Sequence, residues 1–119
     1  MAPASGAQAD GAVRTVVWIR GARSEDVGRT VLVWRVSHRG QTWTLLLWRT
    51  RRGKAVAIDA RCPHRQYLMV DARLVRDAVE CPVHGYRFGA DGRCVNFRRA
   101  PAARLIEVRE ADGYLWLAL

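Results

Sequence analysis

The sequence predicts an all-β fold, a small antiparallel sandwich or barrel in one domain. Three observations carry this. Short runs rich in β-branched and aromatic residues recur along the chain. Glycine-bearing turns fall between them at hairpin spacing. No stretch sustains a helical period. With 119 residues, half of them hydrophobic, the chain can bury one core of ordinary size.

Taken in order, residues 1–12 (MAPASGAQADGA) are small and unpatterned, so a flexible tail is expected there, with the domain running over 13–119. VVWIR (16–20) reads as the first strand. SEDVGRT (24–30) can open a short helix that Gly28 cuts off. TVLVWRV (30–36) and TWTLLLW (42–48) are strands, with HRGQ (38–41) as the turn between them. RRGK (51–54) turns the chain again into AVAID (55–59). YLMVDARLV (67–75) is the only other helical candidate, and its register is ambiguous. YRF (86–88), the GADG turn (89–92) and RCVNF (93–97) form a further strand–turn–strand unit. RLIEVRE and YLWLAL close the chain as a hairpin turning at Asp112-Gly113. Trp18, Trp34, Trp43, Trp48 and Trp116 lie on these strands and read as packing residues.

Two of the three cysteines and two of the three histidines stand in Cys62-Pro63-His64 and Cys81-Pro82-Val83-His84. Thiolate and imidazole suit soft and borderline metals. Each proline stiffens its loop, and Gly85 after His84 permits a tight turn. Two metals fit the donor set. Zinc would take all four ligands in a closed tetrahedral site, and the protein would then be a zinc-stabilised interaction module. A two-iron cluster would take two cysteines on one iron and two histidines on the other. Zinc sites group cysteine with cysteine and histidine with histidine. Here each loop supplies one of each, which favours the two-iron cluster.

The charge of +9 is carried almost wholly by arginine, scattered from Arg14 to Arg109, with Lys54 the only lysine. No nucleic-acid reading motif accompanies it, so an acidic protein partner is the expected use and no nucleic-acid partner is expected. No apolar run approaches a membrane span, and the start lacks the layout of a secretory signal, so no membrane partner is expected and cytoplasmic localisation is the default. Three cysteines in such a chain point to metal or redox chemistry and away from a disulfide framework.

Cys62-x-His64, sixteen residues, then Cys81-x2-His84-Gly85 resembles the Rieske signature. KAVAIDARCPHR, CPVHGYRFGADGRCV and EADGYLWLAL resemble the Rieske domain of ring-hydroxylating and sterol-type oxygenase α subunits and of Rieske ferredoxins, from about residue 16 to the end. The resemblance implies a Rieske-like fold with a two-loop cluster-binding subdomain at about residues 60–90 and one 2Fe–2S cluster. By the same resemblance Cys62 and Cys81 bind the inner iron, and His64 and His84 bind the outer one through Nδ1. It implies electron transfer from a reductase to an oxygenase-type partner, through exposed imidazoles whose protonation follows reduction. The expected partners are an acidic reductase or ferredoxin and an oxygenase catalytic subunit.

The first loop departs from the family at Gln66, Leu68-Met69 and Ala72, where glycines and a Pro-Leu step are usual. The disulfide of respiratory Rieske proteins would fall at Tyr67 and Val83, and their hydroxyl donors at positions resembling Tyr86 and Phe88. With these donors missing, the potential belongs in the lower Rieske range, which begins at roughly −150 mV. Arg61, Arg65 and Arg87, beside the ligands, would raise it somewhat or form a docking face. Oxygenase chemistry needs a mononuclear iron held by two histidines and a carboxylate. Only His38 remains once His64 and His84 are used. The chain alone therefore lacks that site and is a carrier or one domain of a larger system. Of the residues left over, Cys94 reads as core filler, His38 as solvated in its turn and Arg98-Arg99 as a solvated charge pair, while Tyr86 and Phe88 are expected to cover the cluster.

Overall fold

A computed structural model describes residues 16–64 and 67–119. The tail at 1–12, and Arg65 and Gln66 of the first loop, lie outside the described residues. Among the described residues nine strands follow in order: β1 (Trp18–Arg23), β2 (Leu32–His38), β3 (Gln41–Arg49), β4 (Ala55–Asp59), β5 (Arg73–Val75), β6 (Ala78–Glu80), β7 (Arg87–Phe88), β8 (Leu105–Ala111) and β9 (Tyr114–Ala118). Every paired strand is antiparallel. Six strands form a barrel-like sheet in the order β1-β9-β8-β4-β3-β2, and three form a small sheet, β5-β6-β7.

The all-β expectation holds, and the reason is visible in β3. Leu45, Leu46, Leu47 and Trp48 are all fully buried. In a strand alternate side chains face opposite ways, so four consecutive buried positions require cover on both faces. Leu45 and Leu47 pack in the barrel with Ala22, Val27, Ile106, Leu115 and Leu117. Leu46 and Trp48 pack on the other face with Cys62, Met69, Val79, Cys81 and Phe88. β4 divides the same way, Ala57 into the barrel and Val56 and Ile58 into the second core. The small sheet is thus seated on the outer face of the large one, through side chains of one unbroken apolar run.

Polar contacts fix that seat. The β5–β6 turn presents Asp77, whose carboxylate accepts from the Arg51 backbone N–H (2.8 Å) and from Arg29 Nη1 (3.1 Å). The Asp77 carbonyl accepts from Trp48 Nε1 at 3.0 Å. Backbone donation by Arg51, and then the two guanidiniums, hold the Asp77 carboxyl below its usual range.

Three elements differ from the sequence reading. The segment 24–30 yields one 3-10 turn, Ser24–Asp26. YLMVDARLV is no helix. Buried Met69 follows the Leu68 bridge, Val70 and Asp71 turn with the Ala72 N–H donating to the Met69 carbonyl at 3.1 Å, and the segment ends as β5. RCVNF does not form a strand. Its only pairing is an isolated bridge between Phe88 and Cys94, because the Asn96 side chain takes the hydrogen bonds that a strand backbone would have made. The hairpin at Asp112-Gly113 is as expected, with both residues at positive φ (56° and 80°).

Candidate metal centre

Both cysteine–histidine segments are tips of hairpins, and the two hairpins repeat one design. In the first, Arg61 bridges Leu68 and the Cys62 N–H donates to the Tyr67 carbonyl at 2.7 Å. In the second, Glu80 pairs with Arg87 and the Cys81 N–H donates to the Tyr86 carbonyl, again at 2.7 Å. Each cysteine is therefore bonded to a tyrosine five residues on, across four loop residues. Those four are Pro-His-Arg-Gln in one hairpin and Pro-Val-His-Gly in the other. Gly85 closes the second loop, donating to the Cys81 carbonyl at 2.9 Å. Its φ of 71° suits glycine, the residue without a Cβ penalty there.

This design separates the donors by depth. Cys62 and Cys81 are each 1% exposed, within the core that also holds Met69, Val79 and Phe88. His64 and His84 are exposed at the tip, with ring centroids 5.2 Å apart, edge to face. The Tyr86 ring packs against His64 at 4.7 Å, and Phe97 packs on Tyr86 at 4.6 Å. Two thiols inside and two imidazoles outside fit a two-iron cluster, which asks for one pair per iron. A closed zinc site asks for four ligands on one ion. Among the described residues no three His, Cys, Asp or Glu side chains are placed to share one metal position.

The other residues singled out in the sequence fall as follows. Fully buried Phe88 lies among the core residues around both cysteines, and the Tyr86 ring packs against His64. Cys94 packs against the same core and donates through Sγ to Asn96 Oδ1 at 3.3 Å. His38 ends β2, opposite Gln41 at the hairpin turn. Arg61, Arg98 and Arg99 are exposed. Arg87 is only half exposed, and its Nε donates to Glu80 at 2.8 Å. Arg73 meets the same carboxylate at 3.0 Å. Arg87 and Arg73 share the single Glu80 carboxylate, so the trio keeps one net positive charge. The bond from Arg87, then the contacts of Arg73, hold the Glu80 carboxyl below its usual range.

Sequence reasoning missed two contributors. Met69 forms part of the floor under Cys62, in a segment whose period was unclear. Asn96 holds the second loop through its side chain, which no hydrophobic pattern can signal.

The model of the Rieske [2Fe-2S] domain matches residues 17–109. The chain is similar to the oxygenase component of chloroacetanilide N-alkylformylase from Rhizorhabdus wittichii, with 46% identity over 52 residues, covering 44% of this chain and 15% of that protein. Crystalline dicamba monooxygenase superposes with a TM-score of 0.75 at 28% identity, over 86% of this chain and 33% of that one. The Sphingomonas yanoikuyae B1 ferredoxin shares the fold at a TM-score of 0.72 and 18% identity, over 87% of this chain and 99% of that one. The chain thus spans a minor part of the oxygenases it matches and nearly all of the ferredoxin. The matched domain implies one Rieske-type 2Fe–2S cluster. This chain belongs to the Rieske [2Fe-2S] family.

Proposed function

We propose that this protein is a one-electron carrier, or the carrier domain of an oxygenase system, passing electrons from a reductase or ferredoxin to an oxygenase-type catalytic partner. Residues 13–119 make up the carrier domain in this reading. Cys62 and Cys81 hold the inner iron of the cluster, and His64 and His84 hold the outer iron. The observation that carries the reading is the difference in depth: both thiols lie in the core and both imidazoles stand at the surface.

A bound 2Fe–2S cluster supplies reversible one-electron chemistry near neutral pH. The chain's residues do the rest. Phe88, Met69 and Val79 exclude water from the thiolate side. Tyr86 fixes the His64 ring from one side. The imidazole edges are left open to a partner. Around them Tyr67, Leu68, Val83 and Phe97 expose large apolar surface, and Arg61, Arg98 and Arg99 add positive charge. An apolar centre with a cationic rim suits a redox partner whose own rim is acidic.

The test is a potentiometric titration of the anaerobically loaded protein. A reversible one-electron wave in the lower part of the range of roughly −150 to +300 mV is expected. A chain that loads iron but never cycles would overturn the carrier reading.

A further inference from the structure

The two ligand hairpins share their closing bond but differ in what stands beside them. Outside the second runs the segment 93–97, which the sequence marks as a strand and which the structure pairs only through the Phe88–Cys94 bridge and its flanking bonds at Arg93 and Val95. In place of a ladder, one side chain spans the loop. Asn96 Oδ1 accepts from the Arg87 N–H at 3.0 Å, and Asn96 Nδ2 donates to the Gly85 carbonyl at 2.8 Å. Those two groups flank Tyr86, whose carbonyl is taken by the Cys81 N–H. The Arg87 carbonyl in turn accepts from the Val95 N–H at 2.8 Å. With Asn96 in place the carbonyls of Gly85 and Tyr86 and both backbone groups of Arg87 are hydrogen-bonded, and Phe97 packs on the Tyr86 ring.

We infer that Asn96 is a positioning residue for the second ligand loop, acting through the Gly85 carbonyl and the Arg87 N–H to fix His84 and the Tyr86 ring that orients His64. The inference rests on the ligand reading above. Its logic is geometric. A primary amide carries an acceptor and a donor in one planar group, so Asn96 can accept from one backbone N–H and donate to a nearby backbone C=O at once. Asn96 is exposed, so it adds little to the core and its effect is local. The Cys94 thiol, donating to the same Oδ1, turns the amide so that Nδ2 faces Gly85. No disulfide spans the two loops, since Tyr67 and Val83 stand where respiratory Rieske proteins place their cysteines. Local bracing of this kind takes on part of that task.

Two variants separate the bonds. Asn96→Leu removes both. Asn96→Asp keeps an acceptor for Arg87 but sets a carboxylate oxygen against the Gly85 carbonyl. Amide exchange over residues 85–88 is followed by mass spectrometry on the full chain as purified, and iron release to EDTA is followed on the loaded chain. Exchange of the Arg87 amide about five- to tenfold faster is expected in Asn96→Leu, with native-like exchange at Arg87 in Asn96→Asp. Both variants should release iron faster than the native chain and change the anisotropy of the reduced EPR signal. Their unfolding midpoints should stay within about 4 °C of native, as for surface substitutions. Native exchange, iron release and EPR in Asn96→Leu would overturn the inference. A native chain that takes up no iron would instead count against the ligand assignment, and the exchange data would still judge Asn96.

Discussion

Arg49 uses every N–H of its guanidinium inside the protein. Nε donates to the Val27 carbonyl, Nη1 to Gly53 O and Glu110 Oε1, and Nη2 to Ser24 O and Glu110 Oε2, at 2.6–3.0 Å. One side chain so ties the β1–β2 connection, the β3–β4 turn and β8, with the fork-to-fork geometry that only arginine offers a carboxylate. Arg49→Ala should lower stability in urea by about 2–4 kcal/mol, because three carbonyls and a carboxylate lose their partner. The bond from Arg49 also holds the Glu110 carboxyl below its usual value of 4.5. A depressed carboxylate stabilises the fold fully above its unfolded value and loses that effect as the pH falls through its lower folded value. The stability gap between the native chain and Glu110→Gln should therefore be constant above about pH 5 and close on further acidification. A gap unchanged at low pH would contradict the pairing. At Gly92 the constraint is steric as well as conformational. Its φ is 82°, and an added Cβ would meet the Ala103 carbonyl at 2.7 Å, whereas at Gly53, with φ 86°, the same atom meets open space. Gly53→Ala should cost roughly 1 kcal/mol in urea melts, and Gly92→Ala clearly more.

At the scale of elements, what was legible in the sequence was what local chemistry decides. AVAID is β4 with the same ends, and TVLVWRV and TWTLLLW lie within a residue or two of β2 and β3. The glycine turns at 40 and 113 fell where expected. The four residues singled out by spacing and resemblance lie at the tips of two hairpins, which the sequence did not mark. What stayed hidden is tertiary. β6 has three residues, Ala78–Glu80, and exists because both neighbours pair with it. YLMVDARLV carries a helix-like composition, but Met69 is drawn into the core under Cys62, where its N–H bonds the Ala60 carbonyl at 2.8 Å. Burial there outweighs propensity. RCVNF has strand composition, yet a side-chain amide makes the bonds instead. Asp77, which joins the small sheet to the large one, looks like an ordinary turn residue until Trp48, Arg29 and Arg51 are seen to converge on it.

The described residues form a barrel-like sheet with a small three-stranded sheet seated on its outer face, and the sequence carries nine net positive charges. Several arginines pair with carboxylates, as do Arg49, Arg73 and Arg87. Arg98 and Arg99 are exposed and directly follow Phe97, whose ring packs on Tyr86 beside His64. If an acidic partner docks there, Arg98→Glu/Arg99→Glu should slow its association about tenfold at low salt, and native association should itself slow as salt rises. Stopped-flow kinetics with the cognate reductant at two ionic strengths would show it. Rates indifferent to both changes would place docking elsewhere.

The most direct test of the central claim is an EPR spectrum of the dithionite-reduced protein, purified without air, with iron and zinc measured on the same sample. About two irons per chain and the signal of a histidine-ligated 2Fe–2S cluster are predicted. One zinc per chain and a silent spectrum would contradict the account and leave the same four residues holding a structural ion.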